Sequence, residues 1–163
     1  MTLRALTIRQ PWASLIMAGV KRIENRSYRP RCLGELPAWV AIHAGLGFDK
    51  QPDSDRAQIE YLWQECPGWT SADYPTGILG LARIDRVTGA VGGIFGGGPV
   101  CWHIGAGARL HHPIPHRGAL GLWRVPDDVA DGIGLVLEDA WQHGDGVAGE
   151  ALTAIRGVLR GVL

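Results

Sequence analysis

Apolar positions fall in short runs separated by polar residues, glycine and proline, and most runs suit strands better than helices. Leu3 to Ile8 is a first strand candidate. Gln10-Pro11-Trp12 then opens a short helix. Pro11 suits a first helical position, Gly19 marks the stop, and Trp12, Leu15 and Ile16 share one face. Arg22 to Tyr28 reads as a strand ended by Pro30, and the side-chain period of two puts Glu24, Arg26 and Tyr28 on one face. Trp39 to His43 is a stronger strand. Ser54 to Glu65 has helical spacing in Ile59, Leu62 and Trp63, a cap at Asp53 or Ser54, and a stop at Pro67-Gly68. Tyr74 to Gly77 is a turn and Ile78 to Val87 a long strand, followed by an irregular glycine-rich loop over Gly89 to Gly98. Val100 to Ile104, Arg109 to His112 and Ala119 to Val125 are three more strand candidates, with Pro113 and Pro115 breaking the last two apart. Asp127 begins a helical tail whose Leu152, Ile155, Leu159 and Val162 recur at helical spacing and are expected to pack on the body.

The pattern is about seven short strands with helices inserted near the start, midway and at the end. It predicts an α+β fold built on a small β-barrel or curled sheet. No internal repeat or second domain is visible. The 163 residues suit one domain, and 46% hydrophobic content with balanced charge excludes disorder for the bulk.

Charge sharpens the picture. The net charge is zero, which argues against a chain that coats nucleic acid through bulk electrostatics. Residues 1–31 nevertheless carry a net +6 and residues 125–163 a net −5, so a basic face from the N-terminal part is expected. Cys32, Cys66 and Cys101 are three, without a Cys-x-x-Cys pair, and make no disulfide framework. With no apolar run near the ~18 residues of a membrane span and no secretory leader pattern, the expectation is a soluble protein of a reducing, cytoplasmic compartment with no membrane contact.

The segment from Ala5 to Tyr28, with Gln10-Pro11-Trp12 and with Gly19-Val20-Lys21-Arg22-Ile23-Glu24-Asn25-Arg26 as Gly-x-Lys-x-x-Glu-x-Arg, resembles the ASCH (activating signal cointegrator homology) domain of the PUA-like superfamily. Trp39 to His43, Asp73 to Val87 and Gly118 to Val125 look like later strands of that family. The resemblance therefore covers roughly residues 3–126, and 127–163 form a helical extension packed on the same domain. It implies a PUA-like β-barrel with a helix between the first strands. It also implies a cleft, lined by the motif residues, that takes RNA, single-stranded DNA or a modified nucleoside. One bacterial branch of the family removes the acetyl group of N4-acetylcytidine with a lysine, a threonine three residues on, and a distant glutamate. Lys21 matches that lysine. Glu24 stands in place of the threonine, and Asp85 is the candidate for the distant acid.

Lys21, Glu24 and Arg26 set two cations and an anion in one stretch. The trio reads either as a structural ion pair or as a polar cleft in which a cation holds phosphate or a base carbonyl and Glu24 accepts from an exocyclic amine. Amide hydrolysis with Lys21, Glu24 and Asp85 as catalytic groups needs a deprotonated lysine, which Glu24 opposes. Binding therefore ranks above it. Gln10, Trp12, His43 and Trp102 complete the expected ligand-binding set, with Trp12 and Trp102 as stacking walls among seven tryptophans. Of the others, Trp39 and Trp123 read as core or cleft wall, Trp63 as the apolar face of its helix, Trp141 as docking the tail, and Trp69 as a loop residue that is partly exposed. Cys101, His103, His111, His112 and His116 do not match a metal spacing, and neither a metal nor a cofactor is expected. Gly92 to Pro99 lacks a P-loop ending and reads as a mobile flap beside the cleft. The terminal helix, Glu150 to Leu163, offers a surface for a homodimer.

Overall fold

The computed structural model describes residues 2–49, 74–93 and 95–159. Its elements are β1 (Arg4–Gln10), α1 (Trp12–Met17), β2 (Ile23–Arg26), a 3-10 turn (Arg31–Leu33), β3 (Ala38–Phe48), β4 (Gly77–Thr88), β5 (Val100–Ile114), β6 (Leu122–Arg124), α2 (Asp127–Gln142) and α3 (Gly146–Leu159). The fold is α+β. The helix expected over 54–65, with Trp63, lies outside the described residues, as do Cys66 and Trp69.

The six strands form one mixed sheet in the order β2-β5-β4-β3-β1-β6. β1 and β3 are parallel, with Ala5 opposite Ala41 and Thr7 opposite His43. The strands of that pair are apolar on both sides because both faces of the sheet are covered. Leu6, Ile8, Val40 and Ile42 point to a cluster with α1. Leu3, Ala5 and Ala41 point the other way, to a cluster with Ile133 and Leu137 of α2 and Leu152 and Ile155 of α3. On β4, Leu79 joins the first cluster and Leu81 the second. Two residues apart on a regular strand they would share a face, and the register shift between Ile78 and Gly80 reverses that.

A small β-barrel or curled sheet was expected; among the described residues the sheet stays open, with β2 and β6 as its edges. Side chains span the gap instead. Arg26 Nη2 donates to the Thr7 carbonyl at 3.3 Å, so β2 curls back toward β1.

The strand count also differs from expectation, because Val100–Ile104 and Arg109–His112 belong to one strand, β5. A register shift against β4 absorbs Gly105 between them, while Gly107 pairs with Ala82. Pro113 is tolerated because β2 pairs only with Val100 to His103, which leaves the far half of β5 as an edge where no N–H is needed.

The tail is two helices. Asp127 and Asp128 sit in the first turn of α2, where the helix dipole favours anions. The Asp145 carboxylate accepts from Ala148 N at 3.0 Å and caps α3. Ala148, Ala151, Leu152 and Ile155 are buried in the cluster that covers this face of the sheet, as the helical spacing of the tail predicts.

Candidate functional site

The turn after α1 carries Lys21 inward and β2 carries Glu24 and Arg26 on one face, as the period of two requires. Lys21 is 4% exposed and Glu24 7%. Lys21 Nζ donates to Glu24 Oε2 at 2.7 Å and also to the Ile23 carbonyl. Arg26 Nη2 stands 3.0 Å from Glu24 Oε1. The carboxylate is thus held between two cations. Burial drives the Lys21 ammonium below its ordinary 10.5, while Glu24 acts in the opposite direction.

A cleft of about 880 Å³ opens beside this trio. Glu24 and Arg26 line it together with Thr7, Trp12 and His43, and the segments 44–46 and 116–121 form much of the mouth. Trp12 is fixed by its indole N–H, which donates to Asp49 Oδ2 at 2.7 Å, and by Phe95, packed edge-on with centroids 6.2 Å apart. The Lys21 ammonium lies 5.9 Å from the Trp12 ring centroid. His43 Nε2 lies 2.9 Å from the His116 carbonyl and must carry the proton that bridges them. Its Nδ1 is buried with no hydrogen-bond partner among the described residues. Trp123 braces this wall from behind: its indole N–H donates to Thr7 Oγ1 at 3.0 Å, and its ring stacks on His116 at 5.1 Å. Gly118 closes the corner. A Cβ there would lie 2.6 Å from both Thr7 Oγ1 and His43 Cε1, so only glycine lets the 116–121 segment sit this close.

Residues 6–44 match the family profile described as ASCH domain. Over this segment the chain is similar to the ASCH domain. The Gly19–Arg26 motif lies inside this ASCH segment, which spans β1, α1, β2, the 3-10 turn and the first part of β3. The chain is also similar to Activating signal cointegrator 1 of Homo sapiens, with 33% identity over 82 residues. The aligned part is 50% of this chain and 13% of that protein, so the chain spans a small fraction of the relative's length.

The ASCH segment supplies Thr7, Trp12, Glu24, Arg26 and His43 to the cleft. The other side, from Gly45 to Asp49 and from His116 to Gly121, lies outside it.

Several expected site residues stand elsewhere. Lys21 lies behind Glu24 and does not line the cleft. Gln10 is buried, with Nε2 donating to the Pro75 carbonyl at 2.8 Å and Oε1 accepting from Ser14 N, and so ties α1 to the start of β4. Trp102 is fully buried in the core, its indole N–H donating to the Tyr28 carbonyl at 3.1 Å. It has no face to offer a base. Asp85 is ion-paired with Arg83 at 2.8 Å, and Arg83 also reaches Glu150 of α3. That network joins the sheet to the helical tail, away from the cleft.

The described part of the glycine-rich loop, expected as a mobile flap beside the cleft, is tied to β2 by Asn25. Asn25 binds it at two points, donating to the Phe95 carbonyl at 2.8 Å and accepting from Gly98 N at 3.2 Å. Its Phe95 then backs Trp12. Among the described residues no group of His, Cys, Asp and Glu is arranged to hold a metal ion. No described helix is long and apolar enough to cross a membrane.

Sequence reasoning missed Arg9, Leu46, Asp49, Arg117 and Leu120. Leu46 between Gly45 and Gly47, and Leu120 before Gly121, are isolated leucines in glycine-rich surroundings with no periodic partner. That was the available signal.

Proposed function

We propose that this chain binds nucleic acid, RNA in the first instance, by accepting a single nucleotide unit in the cleft. The observation that carries the reading is Arg26. Its guanidinium, held by Glu24 and the Thr7 carbonyl, lines a cleft of about 880 Å³ that Trp12 also lines. A fixed guanidinium next to an aromatic wall suits hydrogen-bonded, stacked recognition of an unstacked base. The ASCH match over 6–44 supports the same reading, since this resemblance implies a cleft for RNA or modified bases.

Binding is favoured over removal of an acyl group from a modified nucleoside. Lys21, the base that such chemistry would need, directs Nζ to Glu24 and Ile23 rather than into the cleft. Asp85 stands in another network.

The test is fluorescence anisotropy with short labelled single-stranded RNA and DNA over a salt series. Saturable binding that weakens with salt is expected, together with quenching of tryptophan emission that Trp12→Phe reduces. Absence of binding to every RNA, DNA and nucleoside offered overturns the proposal.

A further inference from the structure

Both oxygens of Glu24 are engaged within the protein. Oε2 takes Lys21 at 2.7 Å and Oε1 takes Arg26 at 3.0 Å. Arg26 is engaged only in part. Its Nη2 serves Glu24 and the Thr7 carbonyl, but Nε is buried without a partner, and Nη1 makes no hydrogen bond among the described residues. Arg26 therefore brings only donors to the cleft, and a group that docks on it must accept.

A nucleotide offers two strong acceptors, a keto oxygen on the base and the phosphate. A phosphate on Arg26 would face the Glu24 carboxylate across only the width of the guanidinium, in a part of the protein shielded from water, where like charges repel strongly. A neutral keto oxygen meets no such repulsion. Phosphate has other cations to meet, at the mouth. Arg9 is 72% exposed, 4.0 Å from Asp49, and Arg117 is exposed in the 116–121 segment. Leu46 and Leu120, at 94% and 99% exposure, stand at the same mouth. Single exposed leucines are ordinary, but two at one mouth present aliphatic edges to the flat faces of a base or to a ribose.

We infer that the cleft selects an unpaired, keto-bearing base: Arg26 reads the keto oxygen, Arg9 and Arg117 hold backbone phosphates outside, and Leu46 and Leu120 flank the nucleotide between them. The inference rests on the nucleic-acid reading above. It requires a single strand, because in a duplex the base is stacked and paired within the helix and cannot enter the cleft.

The test compares two labelled single strands of oligo(A) that differ at one central nucleoside. One carries inosine, with a keto oxygen at C6, and the other purine riboside, which lacks it. Wild-type protein is expected to bind the inosine strand about tenfold more tightly, the range of one charge-assisted hydrogen bond. Arg26→Lys, which keeps a cation but not the fork, is expected to erase the difference. Arg117→Ala is expected to weaken both strands alike and to lower the salt dependence. Leu120→Ser is also expected to weaken both alike. Equal affinity of wild-type protein for the two strands overturns the inference while leaving nucleic-acid binding in place. An inosine-containing duplex that binds as tightly as the single strand overturns it too. Failure of both strands to bind overturns the underlying reading and the inference with it. The wild-type comparison does not depend on how any variant folds.

Discussion

Glu24→Ala should be among the most destabilising single changes in the chain. Unit charges 2.7 Å apart, the Lys21–Glu24 separation, attract by about 6 kcal/mol at an effective dielectric near 20. Arg26 at 3.0 Å adds a second attraction of similar size. Much of this only offsets the cost of taking the charges out of water, so the pair contributes little net stability compared with an apolar replacement. Removing Glu24 alone is a different matter. Lys21 would remain almost fully buried, with the Ile23 carbonyl as its acceptor and Arg26 as a like-charged neighbour. Breaking a buried pair in this way costs about 3–5 kcal/mol, a large part of the ~5–15 kcal/mol that holds a domain together. Urea unfolding at neutral pH, followed by tryptophan emission, measures it through the shift in midpoint at constant slope. The double variant Lys21→Met/Glu24→Leu should recover most of the loss, because no buried ammonium is left without its carboxylate. A loss below about 1 kcal/mol for Glu24→Ala, the range of an exposed pair, would refute the reasoning. So would a double variant less stable than the single.

Three further outcomes are expected. Gly118→Ala should lower stability by about 1–3 kcal/mol through overpacking against Thr7 and His43, while Gly132→Ala in α2, with open space around its Cβ, should raise it by about 0.5–1 kcal/mol; thermal midpoints that move in the same direction for both would contradict this. Asn25→Ala should accelerate hydrogen exchange at the Gly98 amide and lower stability by about 1–2 kcal/mol, since Phe95 O and Gly98 N both lose a partner; unchanged exchange would show that the loop does not depend on Asn25. Because burial lowers the Lys21 pKa on folding, the unfolded chain binds more protons in the window below 10.5. The stability of wild type relative to Lys21→Met should therefore rise as pH increases through that window, and a fall would reverse the assigned cause.

Much of the strand framework was legible in local pattern. Leu3–Ile8, Trp39–His43 and Ile78–Val87 all fall within or beside observed strands. The Lys21-Glu24-Arg26 constellation was legible as well, because a period of two on β2 puts Glu24 and Arg26 on one face. Direction within the trio was not. Whether a cation faces solvent, a carboxylate or a ligand depends on what packs behind it, and α1 with Trp12 turns Lys21 away from the cleft. Trp102 illustrates the same gap. Its alternation beside a glycine loop is compatible with a stacking wall, and only the overlay of Tyr28 and the β2 edge buries it.

Local residue order thus determined the elements, the charge asymmetry and the motif. Tertiary structure decided the open edges of the sheet, the union of two predicted strands into β5, and the cleft itself. The physical reason is range. Side-chain periodicity and turn chemistry act over a few neighbours, whereas the cleft joins β1, β2 and β3 to the 116–121 segment, which lies far away in the chain. Those partners meet only because β1 pairs with β3 on one side and with β6 on the other, and that pairing fixes which face of each strand the cleft receives.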